Sequence, residues 1–281
     1  MSAKIIDGKT LAEQSLEFVK EHAEKHDRPP CLVIYHIGDD PASEVYVRSK
    51  IKTAERCGIN AIIRRFDEDV NLFWVTNRLE GDAGDPNIDG IMIQLPLPKG
   101  WNERPLIERI PPTKDVDGLT YTNMGRLHKD KAYHKPCTAF GIMLILEKIC
   151  EDLTGKHAVV VGRSEIVGKP VAQMLLNLNA TVTTCHSKTA DLASFTKTAD
   201  ILIVATGKRN LITADMVKPG AIVIDVGINR DENGKLCGDV DFENVKEVAG
   251  AITPVPGGVG PMTVAMLMMN TLCASYYIKE V

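Results

Sequence analysis

The chain has 281 residues, enough for one large or two ordinary domains with a real interior. Its 44% hydrophobic and 25% charged residues are ordinary for a soluble globular protein. A formal net charge of -4 gives no global pull toward nucleic acid or an anionic membrane, so any anionic ligand must be met by local basic residues.

The start, MSAKIIDGKT, lacks the long apolar core of a signal peptide and carries Asp7, which a transit peptide would avoid. Residues 8–26 place Ala12, Leu16, Val19 and Ala23 at helical spacing, the mark of an amphipathic helix. CLVIYHIG (31–38) reads as a buried strand. Asp40 then reads as an N-cap with Pro41 at the first helical position, and Gly58 as the residue that closes this helix. INAIIRRF (59–66) is a second strand, a helix runs to about Leu79, and IDGIMIQ (88–94) is a third strand, broken by LPLP. From residue 137 a second series begins. KHAVVVG (156–162), ATVTTC (180–185), ADILIVA (199–205) and AIVIDVG (221–227) are apolar runs of the kind buried parallel strands show, with helical stretches between the first three. Alternating strands and helices predict parallel sheets covered on both faces. The domain boundary falls near 117–137. The apolar stretch 264–278 is interrupted by Asn270, Thr271 and Ser275, so it reads as a packed C-terminal helix and not a membrane span.

Seven scattered cysteines without a C-x-x-C pair suggest reduced thiols in a cytosolic protein, and seven histidines without H-x-x-x-H spacing give no sign of a metal site. Two stretches do suggest chemistry. VVVGRSEIVGKP (159–170) is a strand, a glycine turn between Gly162 and Gly168, and a helix whose first amides could hold a pyrophosphate. The pattern is G-x-S-x-x-x-G, one residue longer than the usual dinucleotide fingerprint. An NAD site usually places an acid about 20 residues on; here the strand ends in His186, Ser187 and Lys188, and Arg163 lies in the turn. These groups suit a 2′-phosphate and favour NADP, although isolated basic residues are also common as solvated surface charges. In SEVYVRSK (43–50), Tyr46 and Lys50 stand four apart on one side of a helix. That spacing would serve a tyrosine acid tuned by lysine, a lysine working beside a substrate held by the ring, or a solvated face.

The segments DGK (7–9), GDDPASEVYVRSK (38–50), GIMIQLPLP (90–98), KDVDG (114–118), GRSEIVGKP (162–170), TTCHSKT (183–189), KPGAIVIDVGIN (218–229), GDVDF (238–242) and ITPVPGGVGPMT (252–263) occur together and in order. They resemble the bifunctional methylenetetrahydrofolate dehydrogenase/methenyltetrahydrofolate cyclohydrolase family along almost the whole chain. The resemblance implies a two-domain α/β subunit: an N-terminal folate/catalytic domain (1–117) joined by a C-terminal helix (263–281), and a Rossmann-type NADP domain (118–262). It further implies a cytoplasmic homodimer with folate in an interdomain cleft. Its partners would be tetrahydrofolate derivatives, polyglutamylated forms among them; that no metal, nucleic acid or membrane is expected follows from the charge and residue spacing above. Carried over by position, Lys50 matches the essential lysine, Tyr46 the ring that stacks on folate, Gln94 the amide that hydrogen-bonds the lysine, and Asp117 the carboxylate that grips the pterin. Pro256, Gly257, Gly258, Val259 and Gly260 match a folate-contacting loop. Gly162, Arg163, Ser164, Gly168, Ser187 and Ile228 fall at cofactor positions.

Two positions depart from the family: Ala139 where proline is common, and Arg209 in a loop placed near the nicotinamide. Three rival readings can be set beside it, and the order of the motifs argues strongly against the first. In a short-chain dehydrogenase the Y-x-x-x-K pair follows the nucleotide loop, whereas here it precedes it by over a hundred residues. A dehydrogenase lacking hydrolase activity would use the same pocket. A non-catalytic folate or NADP sensor would be expected to have lost Lys50 or Gln94.

Overall fold

The structure is a computed structural model and describes residues 2–277; residues 278–281 of the expected C-terminal helix lie outside the described residues. In chain order the elements are β1 (Lys4–Ile5), α1 (Gly8–Ala23), β2 (Cys31–Ile37), α2 (Pro41–Arg56), β3 (Asn60–Phe66), α3 (Leu72–Gly84), β4 (Gly90–Ile93), α4 (Arg104–Ile107), α5 (Tyr121–Leu127) and α6 (Cys137–Ile149). They continue with β5 (His157–Val161), α7 (Gly168–Asn177), β6 (Thr181–Cys185), α8 (Leu192–Thr196), β7 (Ile201–Val204), β8 (Ile222–Asp225), β9 (Asn229–Arg230), β10 (Leu236–Cys237), α9 (Phe242–Val245), β11 (Ala251–Ile252) and α10 (Val259–Tyr277). A 3-10 turn at Ala214–Met216 stands between β7 and β8.

The chain forms two compact units. The first comprises residues 13–126, 131–137 and 264–277 around a three-stranded parallel sheet of order β3-β2-β4. Every residue of β2 is buried, as a central strand covered on both faces requires. Asp40 caps α2 as the sequence predicts: it is extended (φ -61°, ψ 118°) and its Oδ2 accepts from Ser43 N at 2.7 Å. Gly58 closes the helix at φ +71°. Val47 and Ala54 of α2 are fully buried, whereas Arg48 on the other side is exposed. Helix α3 runs past the predicted Leu79 and through Gly81. Asp82, in its last turn, accepts from Arg64 (2.8 and 3.0 Å) and from the buried Tyr35 Oη (2.7 Å), which ties that turn to the sheet.

The second unit comprises residues 2–12, 127–130 and 138–263. Its six-stranded sheet has the order β1-β11-β8-β7-β5-β6 and is parallel at every pairing. β5 is the first strand of the α/β series. β6 lies on one side of it and β7 on the other, so the winding reverses beside β5, where open parallel sheets bind ligands. A short antiparallel hairpin, β9-β10, follows β8.

The sequence places residues 1–117 in the first domain and 118–262 in the second; the compact units of the fold divide the chain a little differently. Residues 2–12 belong to the six-stranded unit, because Lys4 and Ile5 pair with Ala251 and Ile252. Residues 118–126 and 131–137 stay with the three-stranded unit. There the buried Asp115 carboxylate accepts from Leu119 N (3.1 Å), Thr120 N (2.8 Å) and Asn123 Nδ2 (2.9 Å). From Val264 on, α10 packs in the three-stranded unit, where the buried Asn270 donates to Val116 O at 2.8 Å and Lys135 O at 2.9 Å. Ala139 is fully buried in the first turn of α6, which begins at Cys137 without the family's proline. No helix among the described residues is long and apolar enough to cross a membrane. All seven cysteines are free thiols. No cluster of His, Cys, Asp or Glu among the described residues could hold a metal ion.

Candidate active site

Lys50 lies in the third turn of α2 and Gln94 directly after β4, the strand hydrogen-bonded to β2. Gln94 N donates to Tyr35 O at 2.8 Å, which fixes the residue to the end of the sheet. Its side chain is held at both ends: Nε2 donates to Leu95 O at 2.7 Å, and Oε1 accepts from Lys50 Nζ at 2.8 Å. Lys50 Nζ also lies 3.6 Å from Met92 Sδ. The pKa of Lys50 is lowered, chiefly because burial penalises the ammonium, with the nearby Asp117 and Cys137 pulling the other way. Tyr46, one turn earlier, is 44% exposed and presents its ring to solvent.

Asp117 belongs to the same unit and its charge acts on Lys50. Burial raises its pKa, while Lys50 and a hydrogen bond from Cys137 oppose the rise. The Cys137 thiol is driven well above its usual range by burial first and by Asp117 second, so it stays protonated and donates. Its Sγ also lies 3.3 Å from Val116 O and receives Asn270 Nδ2 at 3.6 Å. The sequence reading missed Met92, Cys137 and Asn270. The sulfur contact and the Asn270 bonds join residues 42 and 154 positions apart, which no local pattern records.

The cofactor candidates gather at the carboxyl ends of strands in the other unit. Gly162 follows β5, with N donating to Cys185 O at 2.9 Å. Its φ is +131°, and an added Cβ would meet Ala205 O at 2.2 Å. A Cβ on Gly168 would meet Gly162 O, also at 2.2 Å, so the turn and the start of α7 touch backbone to backbone. Ser164 Oγ accepts from Val167 N (3.2 Å) and Gly168 N (3.3 Å), which braces the longer G-x-S-x-x-x-G turn. Arg163, Ser164, Ser187 and Lys188 are exposed, and Ile228 is 55% exposed. His186 Nδ1 accepts from Lys188 N at 3.2 Å, holding the turn after β6. This backbone-lined turn, with basic and hydroxyl groups at the next strand end, fits a dinucleotide with a 2′-phosphate.

The loop 256–260 lies in the six-stranded unit, unlike Tyr46, Lys50, Gln94 and Asp117. Its backbone runs against the start of α1: a Cβ on Gly8 would meet Gly258 O at 1.9 Å, and one on Gly257 (φ +104°) would meet Lys9 Cε at 3.4 Å. Arg209 Nη1 lies 3.8 Å from Glu232 Oε1 on the β9-β10 hairpin.

Residues 6–117 match the catalytic domain of tetrahydrofolate dehydrogenase/cyclohydrolase, and residues 136–278 match its NAD(P)-binding domain. The bifunctional protein FolD of Acidovorax sp. (strain JS42) is 53% identical over 279 residues, covering 98% of this chain and 99% of the relative. The crystal structure of the bifunctional FolD methylenetetrahydrofolate dehydrogenase/cyclohydrolase from Campylobacter jejuni superposes with a TM-score of 0.96 at 44% identity, over 98% of this chain and 99% of the other. The Trypanosoma brucei dehydrogenase-cyclohydrolase, solved with NADP and an inhibitor, gives 0.95 at 34% identity over 100% of both chains. With both halves matched in order and relatives aligned over nearly the full length, the chain belongs to the tetrahydrofolate dehydrogenase/cyclohydrolase family.

Proposed function

We propose that the protein oxidises 5,10-methylenetetrahydrofolate with NADP+ to the 5,10-methenyl cation, and then hydrolyses that cation to 10-formyltetrahydrofolate. The observation that carries this reading is the Lys50–Gln94 bond of 2.8 Å, made by a lysine whose pKa burial has lowered, in a chain of this family.

NADP+, when bound, accepts the hydride. The cation left on the folate is shared by two nitrogens, so this step needs positioning more than proton transfer. In this reading Tyr46 stacks on the folate, and Asp117 accepts paired hydrogen bonds from the pterin's amide and exocyclic amino groups. Hydration needs a base. A free lysine, at a pKa of about 10.4, is a poor one near neutrality. Burial lowers that of Lys50, and a cationic substrate beside it would lower it further. As the neutral amine, Lys50 gives its two N–H groups to Gln94 Oε1 and Met92 Sδ, leaving the lone pair to take a proton from the attacking water. Gln94 orients the amine without adding charge, and its own orientation is set by Leu95 O. In the other unit Gly162, Arg163, Ser164, Gly168, Ser187 and Ile228 would hold NADP, with Arg163 and Lys188 meeting the 2′-phosphate. The loop 256–260 would contact folate. We further propose a cytoplasmic homodimer that accepts polyglutamylated folates.

The test is absorbance-monitored turnover of 5,10-methylenetetrahydrofolate with NADP+ and with NAD+, and hydrolysis of the methenyl compound assayed alone. Reduction of NADP+ and independent hydrolysis by the same chain are expected. Reduction without hydrolysis would leave a dehydrogenase only, and neither activity would remove the reading.

A further inference from the structure

Two buried aspartates in the six-stranded unit have no part in the mechanism above. Asp239, fully buried, follows the β9-β10 hairpin. Its Oδ2 accepts from Thr206 N (2.6 Å), Thr206 Oγ1 (3.0 Å) and Gly207 N (3.0 Å), all in the turn after β7. Its Oδ1 accepts from Asn229 Nδ2 (2.8 Å), in the segment after β8. A Cβ on Gly227 would lie 2.3 Å from that same oxygen, so the β8 segment can close on the carboxylate only through glycine.

The carboxylate is itself held in place. Asp239 O accepts from Ile212 N at 3.2 Å, and Asp241 N donates to Ile212 O at 2.9 Å. Asp225, the last residue of β8, accepts from Asp239 N (3.0 Å) and Gly227 N (2.9 Å) with Oδ1 and from Val240 N (3.0 Å) with Oδ2. A continuous chain of bonds therefore runs from the end of β8 through Asp225 to the Asp239 backbone, and through the Asp239 carboxylate to two turns on neighbouring strands. The carboxylate serves all four donors at once; an amide would keep one oxygen for the 206–207 turn, lose the charge those three bonds meet, and face Asn229 only if that side chain turned its own oxygen inward. Ile228 lies between Gly227 and Asn229, inside the segment so fixed.

We propose that Asp239 is a positioning residue for the NADP-dependent step: its carboxylate clamps the 206–207 turn to the 227–229 segment and so shapes the edge that receives the cofactor. This rests on the reading that Ile228 and Gly162 face NADP. Asp239 touches neither cofactor nor folate; it acts through the two turns.

The two reactions separate this role from a merely structural one, because hydrolysis of the methenyl compound needs no NADP. In the full chain, Asp239→Asn is expected to raise the KM for NADP+ on the order of tenfold, the scale set by losing one hydrogen bond to a charged group. Hydrolysis and the KM for folate should stay within about twofold of the parent by the same scale. Asn229→Ala breaks one bond of the four and should raise the KM for NADP+ less. An unchanged KM for NADP+ in Asp239→Asn overturns the proposal, and so does a proportional loss of both activities in the two variants. Arg163→Ala tests the parent reading separately. If it raises the KM for NADP+ while Asp239→Asn does not, the clamp alone has failed. If neither variant moves it, the cofactor site lies elsewhere.

Discussion

Asp225 should make the protein lose stability as pH rises through the acid range. The carboxyl is 3% exposed, and its pKa is raised from 3.8 to about 6 by burial first, against three backbone N–H bonds that lower it and with Asp239 adding to the rise. A raised carboxyl pKa means that between these two values the folded chain holds a proton the unfolded chain has released. Stability then falls as pH increases across that window and is level on either side. A difference of roughly two pH units at about 1.4 kcal/mol each amounts to about 3 kcal/mol, of which about 2 kcal/mol falls between pH 4 and 7. Asp225→Asn removes the titration. It carries a fixed cost at every pH, because its amide opposes one of Gly227 N, Asp239 N and Val240 N. Urea unfolding of both full chains at closely spaced pH isolates the effect as the difference between them. The parent's advantage over Asp225→Asn should shrink by about 2 kcal/mol from pH 4 to 7. A constant difference, or one that grows with pH, would refute the reasoning.

Asn270→Leu removes the buried amide that donates to both Val116 O and Lys135 O, and should cost about 1–3 kcal/mol, read as a lower urea midpoint. Because Val116 adjoins Asp117, this variant should also raise the KM for folate. Lys188→Ala should raise the KM for NADP+ on the order of tenfold and leave that for NAD+ unchanged, since only NADP carries the 2′-phosphate. Equal effects on both cofactors would move Lys188 away from the phosphate.

The elements whose signals are local were legible in the chain. Asp40, Pro41 and Gly58 mark the ends of α2, and the apolar runs give β2, β5, β7 and β8 as buried strands, because caps and buried strands are written in adjacent residues. β6 reads as buried in the same way, but it lies at the sheet edge with only Cys185 buried. The pairing of Lys50 with Gln94 was anticipated through the resemblance, not through spacing. β1 and β11 went unread because two residues carry no periodicity, and with them went the transfer of residues 2–12 to the six-stranded unit. Helix α3 continues through Gly81 to a turn where Asp82 meets Arg64 and Tyr35, partners 18 and 47 positions away that no local pattern records. The surroundings of Asp117 and the Asp225–Asp239 clamp are hidden for the same reason: their partners come from distant turns that only the folded sheets bring close.

The central claim is that Lys50, its pKa lowered by burial, activates water. Hydrolysis of 5,10-methenyltetrahydrofolate by the parent and by Lys50→Ala across the neutral range, with NADP+ binding measured beside it, tests that claim most directly. The parent rate should rise with pH as Lys50 loses its proton, and it should do so below the range of an ordinary lysine, since burial lowers its pKa. Lys50→Ala should lose at least about a hundredfold in hydrolysis, with NADP+ affinity unchanged. Hydrolysis within about threefold of the parent, with the same pH dependence, would contradict the account.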